Sequence, residues 1–180
     1  MPLTGAGRRY AEAAFELALR DGTIDAWSRD LVLLAGLAGD ERVARAVDSP
    51  AVPFVHRRAA LESSLGALVS PGARNLALLL AKRGRFSVLP EVSAEYDALV
   101  RDSRGIVAAT VTTPAPLSDP QLAQVRTRVE QLAGAKAQVT AATDPTLLGG
   151  LTIRIGDTLI DASVKGRLAR LRGELVQGTS

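Results

Sequence analysis

The sequence predicts an α+β protein in two parts: an N-terminal six-helix bundle over residues 1–105 and a small C-terminal α/β domain over residues 106–180. Three observations predict it. Apolar residues recur at helical spacing through the first hundred residues. β-branched alternation replaces that period at IVAATVTT (106–113), and two short apolar runs flank a Gly-Asp pair at 156–157.

The helices come first. In RRYAEAAFELALR (8–20), Tyr10, Ala14 and Leu17 share one stripe, and Ala11, Phe15 and Ala18 an adjacent one. DAWSRDLVLLAGLA (25–38) repeats the spacing through Trp27, Leu31, Leu34 and Ala38. A short third helix lies in DERVARAV (40–47), and Ser49-Pro50 ends it because the residue before proline is pushed out of the α region. A fourth helix is expected from Pro53 to Leu65 and a fifth from Pro71 to Lys82. The sixth, LPEVSAEYDALV (89–100), aligns Leu89, Val92, Tyr96 and Leu99, with Ser87 upstream as its N-cap. RDSRG (101–105) reads as the joint between the two parts.

After IVAATVTT, the segment PAPLSDPQ breaks the strand, and Ser118-x-x-Gln121 has the form of a capping box. The helix it opens carries Leu122, Val125, Val129 and Leu132 on one face, with Gly134 placed to end it. AKAQVTAA (135–142) is a weak second strand. LTIRI (151–155) and TLID (158–161) are stronger, joined by Gly156-Asp157. The last helix, SVKGRLARLRGEL (163–175), is capped by Ser163 and presents Val164, Leu168, Leu171 and Leu175. No internal repeat is present.

Composition narrows the function classes. With 47% apolar and 23% charged residues over 180 positions, the chain can bury a core and is not a disordered polyelectrolyte. The lack of cysteine excludes disulfides and thiolate metal sites and fits a reducing compartment. MPLTGAGRRY has no apolar run behind its charges, so no signal peptide is expected. LALLLA (76–81) falls far short of the ~20 apolar residues of a bilayer span. A pI near 9.8 raises the alternative of a basic adaptor for nucleic acid. Yet residues 1–105 hold 14 Lys/Arg against 13 Asp/Glu, and residues 106–180 hold 8 against 6, so neither part is strongly basic. Aromatics at 3% are too few for base-stacking platforms, and nucleic acid is not an expected partner.

The stretch LLGGLTIRIGDTLIDASVKGRL (147–168) invites a phosphate cradle, with Lys165 as its cation. No G-x-x-x-x-G-K-[ST] string exists, and Gly149-Gly150 precedes a strand, so no helix N-terminus is aimed at an anion there. Gly156-Asp157 has the two-residue spacing of a tight hairpin. Gly149, Gly150, Gly156 and Asp157 are therefore read as structural turns. Lys165, Arg167, Arg170 and Arg172 lie mostly off the apolar stripe of the last helix. They form either a solvated basic face or a surface for an acidic partner. His56, the only histidine, has Arg57 and Arg58 beside it and no carboxylate within three residues, so it reads as a surface helix residue. No catalytic, cofactor-binding or metal-ligating residue is expected. The chain reads as a binding or structural protein.

Four blocks carry a resemblance: RRYAEAAFELA (8–18), DSPAVPFVHRRAAL (48–61), NLALLLAKRGRFSVLPEVSAEYDAL (75–99) and DPTLLGGLTIRIGDTLIDASVKGRLARL (144–171). Together they resemble the delta subunit of F-type ATP synthase, the oligomycin-sensitivity-conferring protein of mitochondria, over essentially the full length. The last block is the most specific, because Gly-Gly, an apolar strand, Gly-Asp, Ile-Asp-x-Ser and a basic amphipathic helix follow in family order. Two departures stand out. Lys82-Arg83 replaces a pair that is often acidic residue and asparagine, and Arg57 stands where lysine is common.

The resemblance implies a non-catalytic stator subunit of a proton-translocating ATP synthase, present in single copy and without a cofactor. In the family the helical domain binds amphipathic N-terminal helices of the alpha subunits, and the C-terminal domain joins the C-terminal end of the peripheral-stalk b subunit. The implied location is the cytoplasmic face of a bacterial cell membrane, held there through the complex without direct insertion. Helices one and five line the family's groove, which points to Tyr10, Ala14, Leu79 and Arg83 as partner-binding residues. NLALLLA, apolar nearly all round, is either central to the bundle or lends a stripe to a partner. Arg167 and Arg170 are the candidates for the stalk contact.

Overall fold

The computed structural model describes residues 5–66 and 68–177, with the side chains of Ala6 and of residues 171–177 outside that description. The described residues form eight α-helices and one mixed four-stranded sheet, an α+β protein. Contacts divide the chain into two compact units, Met1–Val100 and Arg101–Ser180.

The first unit is helical: α1 (Gly5–Asp21), α2 (Ile24–Gly39), α3 (Glu41–Asp48), α4 (Phe54–Leu65), α5 (Pro71–Lys82) and α6 (Leu89–Ser103), with a 3-10 turn at Phe86–Val88 leading into α6. Local chemistry explains the boundaries. The Asp40 carboxylate caps α3 by accepting from the Arg42 N–H at 2.8 Å. Ser70 caps α5 just ahead of Pro71, whose missing N–H is harmless in a first turn. Leu31, Leu34, Leu80 and Leu89 are fully buried, each contributing about 1.5–3 kcal/mol. Tyr96 joins three helices. Phe15 meets it edge-on at 5.8 Å, Trp27 stacks on it at 6.5 Å, and its hydroxyl donates to the Ile24 carbonyl at 3.1 Å.

Three expectations need correction here. The two stripes on α1 merge into one whose centre is Ala11, Ala14 and Ala18, all buried, while Tyr10 and Leu17 flank it. Small side chains at the centre let the helix backbone approach its neighbours, which periodicity alone does not reveal. Ser87 is not the N-cap of α6. It lies inside the 3-10 turn, and its N–H donates to Asp48 at 3.0 Å. Finally, α6 continues through Ser103 instead of stopping before RDSRG, because nothing in Arg-Asp-Ser opposes a helix. The chain turns only at Gly105, where φ is 62°.

The second unit contains β1 (Ile106–Thr113), α7 (Asp119–Ala133), β2 (Lys136–Thr143), β3 (Thr152–Ile155), β4 (Thr158–Asp161) and α8 (Val164–Gln177). The sheet order is β2-β1-β3-β4, with β1 parallel to β2 and antiparallel to β3. Parallel pairing needs a crossover, and α7 supplies it. The Ser118 N–H donates to Gln121 Oε1 at 2.9 Å to open that helix, and Gly134 closes it at φ 65°. Ala109, Val111 and Thr113 alternate onto the buried face of β1, where Val129 of α7 and Ile153 of β3 complete a small core.

Candidate functional site

The C-terminal end of α5 sets the geometry of the site. Gly84, at φ 61°, donates to the Ala81 carbonyl at 3.1 Å, and the Arg85 N–H donates to the Leu80 carbonyl at 2.9 Å. This is the Schellman arrangement that ends a helix. It holds Arg83 and Arg85 on either side of one turn. Two more residues fix that turn from behind. Asp48 accepts from the N–H groups of Phe86 at 2.6 Å and Ser87 at 3.0 Å, and Arg57 donates to the Ala81 carbonyl at 2.8 Å.

Beside this turn a depression of about 450 Å³ lies between α1 and α5. Tyr10 and Ala13 of α1 and Leu79 of α5 give it apolar contact area, and Arg9, Arg83 and Arg85 line it with positive charge. Leu79 is 42% exposed although it sits in an apolar run, since the core side of α5 is taken by Ala73, Ala77, Leu80 and Ala81. The structure thus brings together Tyr10, Leu79 and Arg83. Ala14 is a correction: it is 2% exposed and faces the core, and Ala13 reaches the depression instead. Arg9, Ala13 and Arg85 were not anticipated. Gly84 between two arginines was the available signal for Arg85.

A second depression, about 360 Å³, is lined by Leu37, Val43, Val47, Val52 and Leu61 among others, with His56 and Arg57 beside them. His56 is exposed on α4. The Arg57 guanidinium is already bonded to the carbonyls of Val47, Val52 and Ala81, so three of its five N–H donors are committed to holding the fold.

In the second unit Gly156-Asp157 joins β3 to β4, with Ile155 opposite Thr158 and Gly156 at φ 54°. Gly149 and Gly150 form a bend, not a hydrogen-bonded turn, and the bend packs on the segment ahead of α8. The Val164 N–H donates to the Gly149 carbonyl at 3.0 Å. A Cβ on Gly150, whose φ is 81°, would meet the Ala162 carbonyl oxygen at 2.6 Å. Ser163 caps α8 by accepting from the Gly166 N–H at 3.0 Å. Arg167 and Arg170 are both exposed, and Arg170 donates to the Asp161 carbonyl at 3.1 Å. Leu171, Arg172 and Leu175 lie outside the described side chains.

A family model for the ATP synthase delta (OSCP) subunit matches residues 6–175. The chain belongs to that family. It is 36% identical over 170 residues to ATP synthase subunit delta of Dehalococcoides mccartyi, spanning 94% of this chain and 93% of the relative. Identity to the Citrifermentans bemidjiense subunit is 32% over 180 residues, spanning 99% and 100%. A chain in the cryo-EM structure of the Toxoplasma gondii mitochondrial ATP synthase hexamer superposes with a TM-score of 0.68 at 25% identity, covering 94% of this chain and 97% of that one. As a family member this delta-type chain is a non-catalytic stator subunit of an ATP synthase. No described helix is long and apolar enough to cross a membrane.

Proposed function

We propose that this delta-type subunit links the catalytic head to the peripheral stalk, its first unit receiving an amphipathic N-terminal helix of the alpha subunit. The second unit meets the C-terminal end of the b subunit, on the cytoplasmic face of a bacterial membrane. The observation that carries the head contact is the depression between α1 and α5. It has apolar area from Tyr10, Ala13 and Leu79 and charged groups beside it, the chemistry needed to receive one face of a helix. Leu79 supports the reading because a leucine left 42% exposed in an otherwise packed helix suits a partner's apolar stripe.

Calorimetric titration of the intact chain with a synthetic alpha-subunit N-terminal peptide tests this. Binding is expected, and Leu79→Asp should weaken it at least about tenfold, the effect of burying a carboxylate in an apolar contact. Because Leu79 is more than half covered and lies in the last turn of α5, the urea midpoint should also fall somewhat, so affinities are compared where both proteins are fully folded. Peptide affinity untouched by Leu79→Asp would remove the groove as the head contact.

A further inference from the structure

Several arginines of the first unit are paired with local carboxylates, as Arg8 with Glu12 at 2.9 Å, Arg20 with Asp21 at 2.8 Å, Arg45 with Glu41 at 3.3 Å and Arg58 with Glu62 at 2.9 Å, and others, Arg29, Arg57 and Arg74, donate to backbone carbonyls. The groove differs. Among the described residues no carboxylate stands within ion-pair distance of Arg9, Arg83 or Arg85, and no acidic residue lines the depression. Three cations therefore act outward on whatever fills it. The backbone that carries two of them is fixed, since the turn bearing Arg83 and Arg85 is closed by its own backbone bonds and held by Asp48.

We infer that the groove selects its helix by charge: the occupant carries carboxylates along the edge of its apolar stripe, facing Arg83 and Arg85. This rests on the reading that an alpha-subunit helix docks there, and it adds what that helix must bear. An uncharged amphipathic helix would bury the same apolar area yet leave the arginines partly desolvated and unpaired. A basic one would meet direct repulsion. The arginines also raise the encounter rate of an acidic segment, an effect that weakens as salt screens it. Selection of this kind keeps one groove from accepting the many amphipathic helices of a cell.

The test uses the intact chain and two peptides, the alpha-subunit N-terminus and the same peptide with every Asp and Glu replaced by Asn and Gln. The carboxylate peptide should bind the unaltered chain roughly 3- to 10-fold more tightly than its amide counterpart, the size expected for two or three exposed pairs. Arg83→Gln with Arg85→Gln should abolish that difference while leaving the urea midpoint in place, since both side chains are exposed. The preference should also shrink between about 0.1 M and 1 M salt, as the screening length falls from ~10 to ~3 Å. Equal affinities for the two peptides, or a preference that survives the double variant, overturns charge selection and leaves the docking reading intact. If neither peptide binds, the docking reading fails and the charge selection with it.

Discussion

Arg57 shows how much one half-buried side chain can tie together. Its guanidinium donates to the carbonyls of Val47 in α3 at 2.5 Å, Val52 in the following loop at 2.9 Å and Ala81 in α5 at 2.8 Å, and it lies 5.7 Å from the Phe54 ring centre. A single lysine ammonium is a point charge and cannot span all three positions with one planar fork. Arg57→Ala should therefore lower stability by about 2–4 kcal/mol, since charge-assisted bonds and stem packing are lost together, and Arg57→Lys should recover only part of it. Urea midpoints of the three proteins decide the matter. Gly72 is the second sensitive position. A Cβ there would meet Trp27 Cζ2 at 2.6 Å, a contact a rigid indole cannot relieve by flexing. Gly72→Ala is expected to cost about 1–3 kcal/mol, and an unchanged midpoint would show that the ring has room to move.

At the scale of elements, the segment from Gly149 to the first turn of α8 is a joint of backbone on backbone. Gly150→Asp would force a carboxylate against the Ala162 carbonyl in a backbone region unfavourable to side chains. It should unfold the second unit or lower its midpoint by several tenths of its urea range; unchanged stability would refute the close-packing account. Asp161 is held below the usual carboxylate value of 3.8, first by the Ser163 hydroxyl and then by the Ser163 N–H. Its folded value is depressed, so its stabilising effect is present above the unfolded value and lost as pH falls through the folded one. Asp161→Asn should flatten stability across the acid limb below about pH 4, where the native chain loses stability.

Element positions were largely legible because local signals set them: β1 ends where proline begins, and α7 is bracketed by Ser118 and Gly134. The groove was half legible. Tyr10, Leu79 and Arg83 reach it, whereas Ala14 turns inward because helix periodicity gives the stripe but not which edge of it faces the core. Asp48 and Arg57 act across 38 and 24 positions of sequence, on Phe86 and Ala81, and no local pattern announces such bonds. Ser87 was misread for the same reason, since a distant carboxylate claims its N–H.

At the scale of the whole molecule, the proposed link between head and stalk can be tested in the assembled enzyme. ATP synthase reassembled in vesicles without this chain should retain ATP hydrolysis by its head while proton transport falls to background. Full coupling in its absence would end the stator assignment. The two units also differ in how they are held. Among the described residues the second core consists of Ala109, Val111, Val129, Ala137 and Ile153, with partly buried neighbours, whereas the first includes Trp27, Phe86, Tyr96 and many leucines and alanines. On the apolar burial among the described residues, the second unit is expected to be the weaker one.

The stacked pair of Trp27 and Tyr96 makes that difference visible. The single tryptophan, both tyrosines and all three phenylalanines fall within the first hundred residues, so the second unit contains no ring that absorbs or emits in the near ultraviolet. Indole emission therefore reports on one unit alone, while far-ultraviolet dichroism sums over both. In a denaturant series the dichroism should begin to fall while the emission still holds its native colour, turning a gap in aromatic composition into a built-in way of watching the two halves separately.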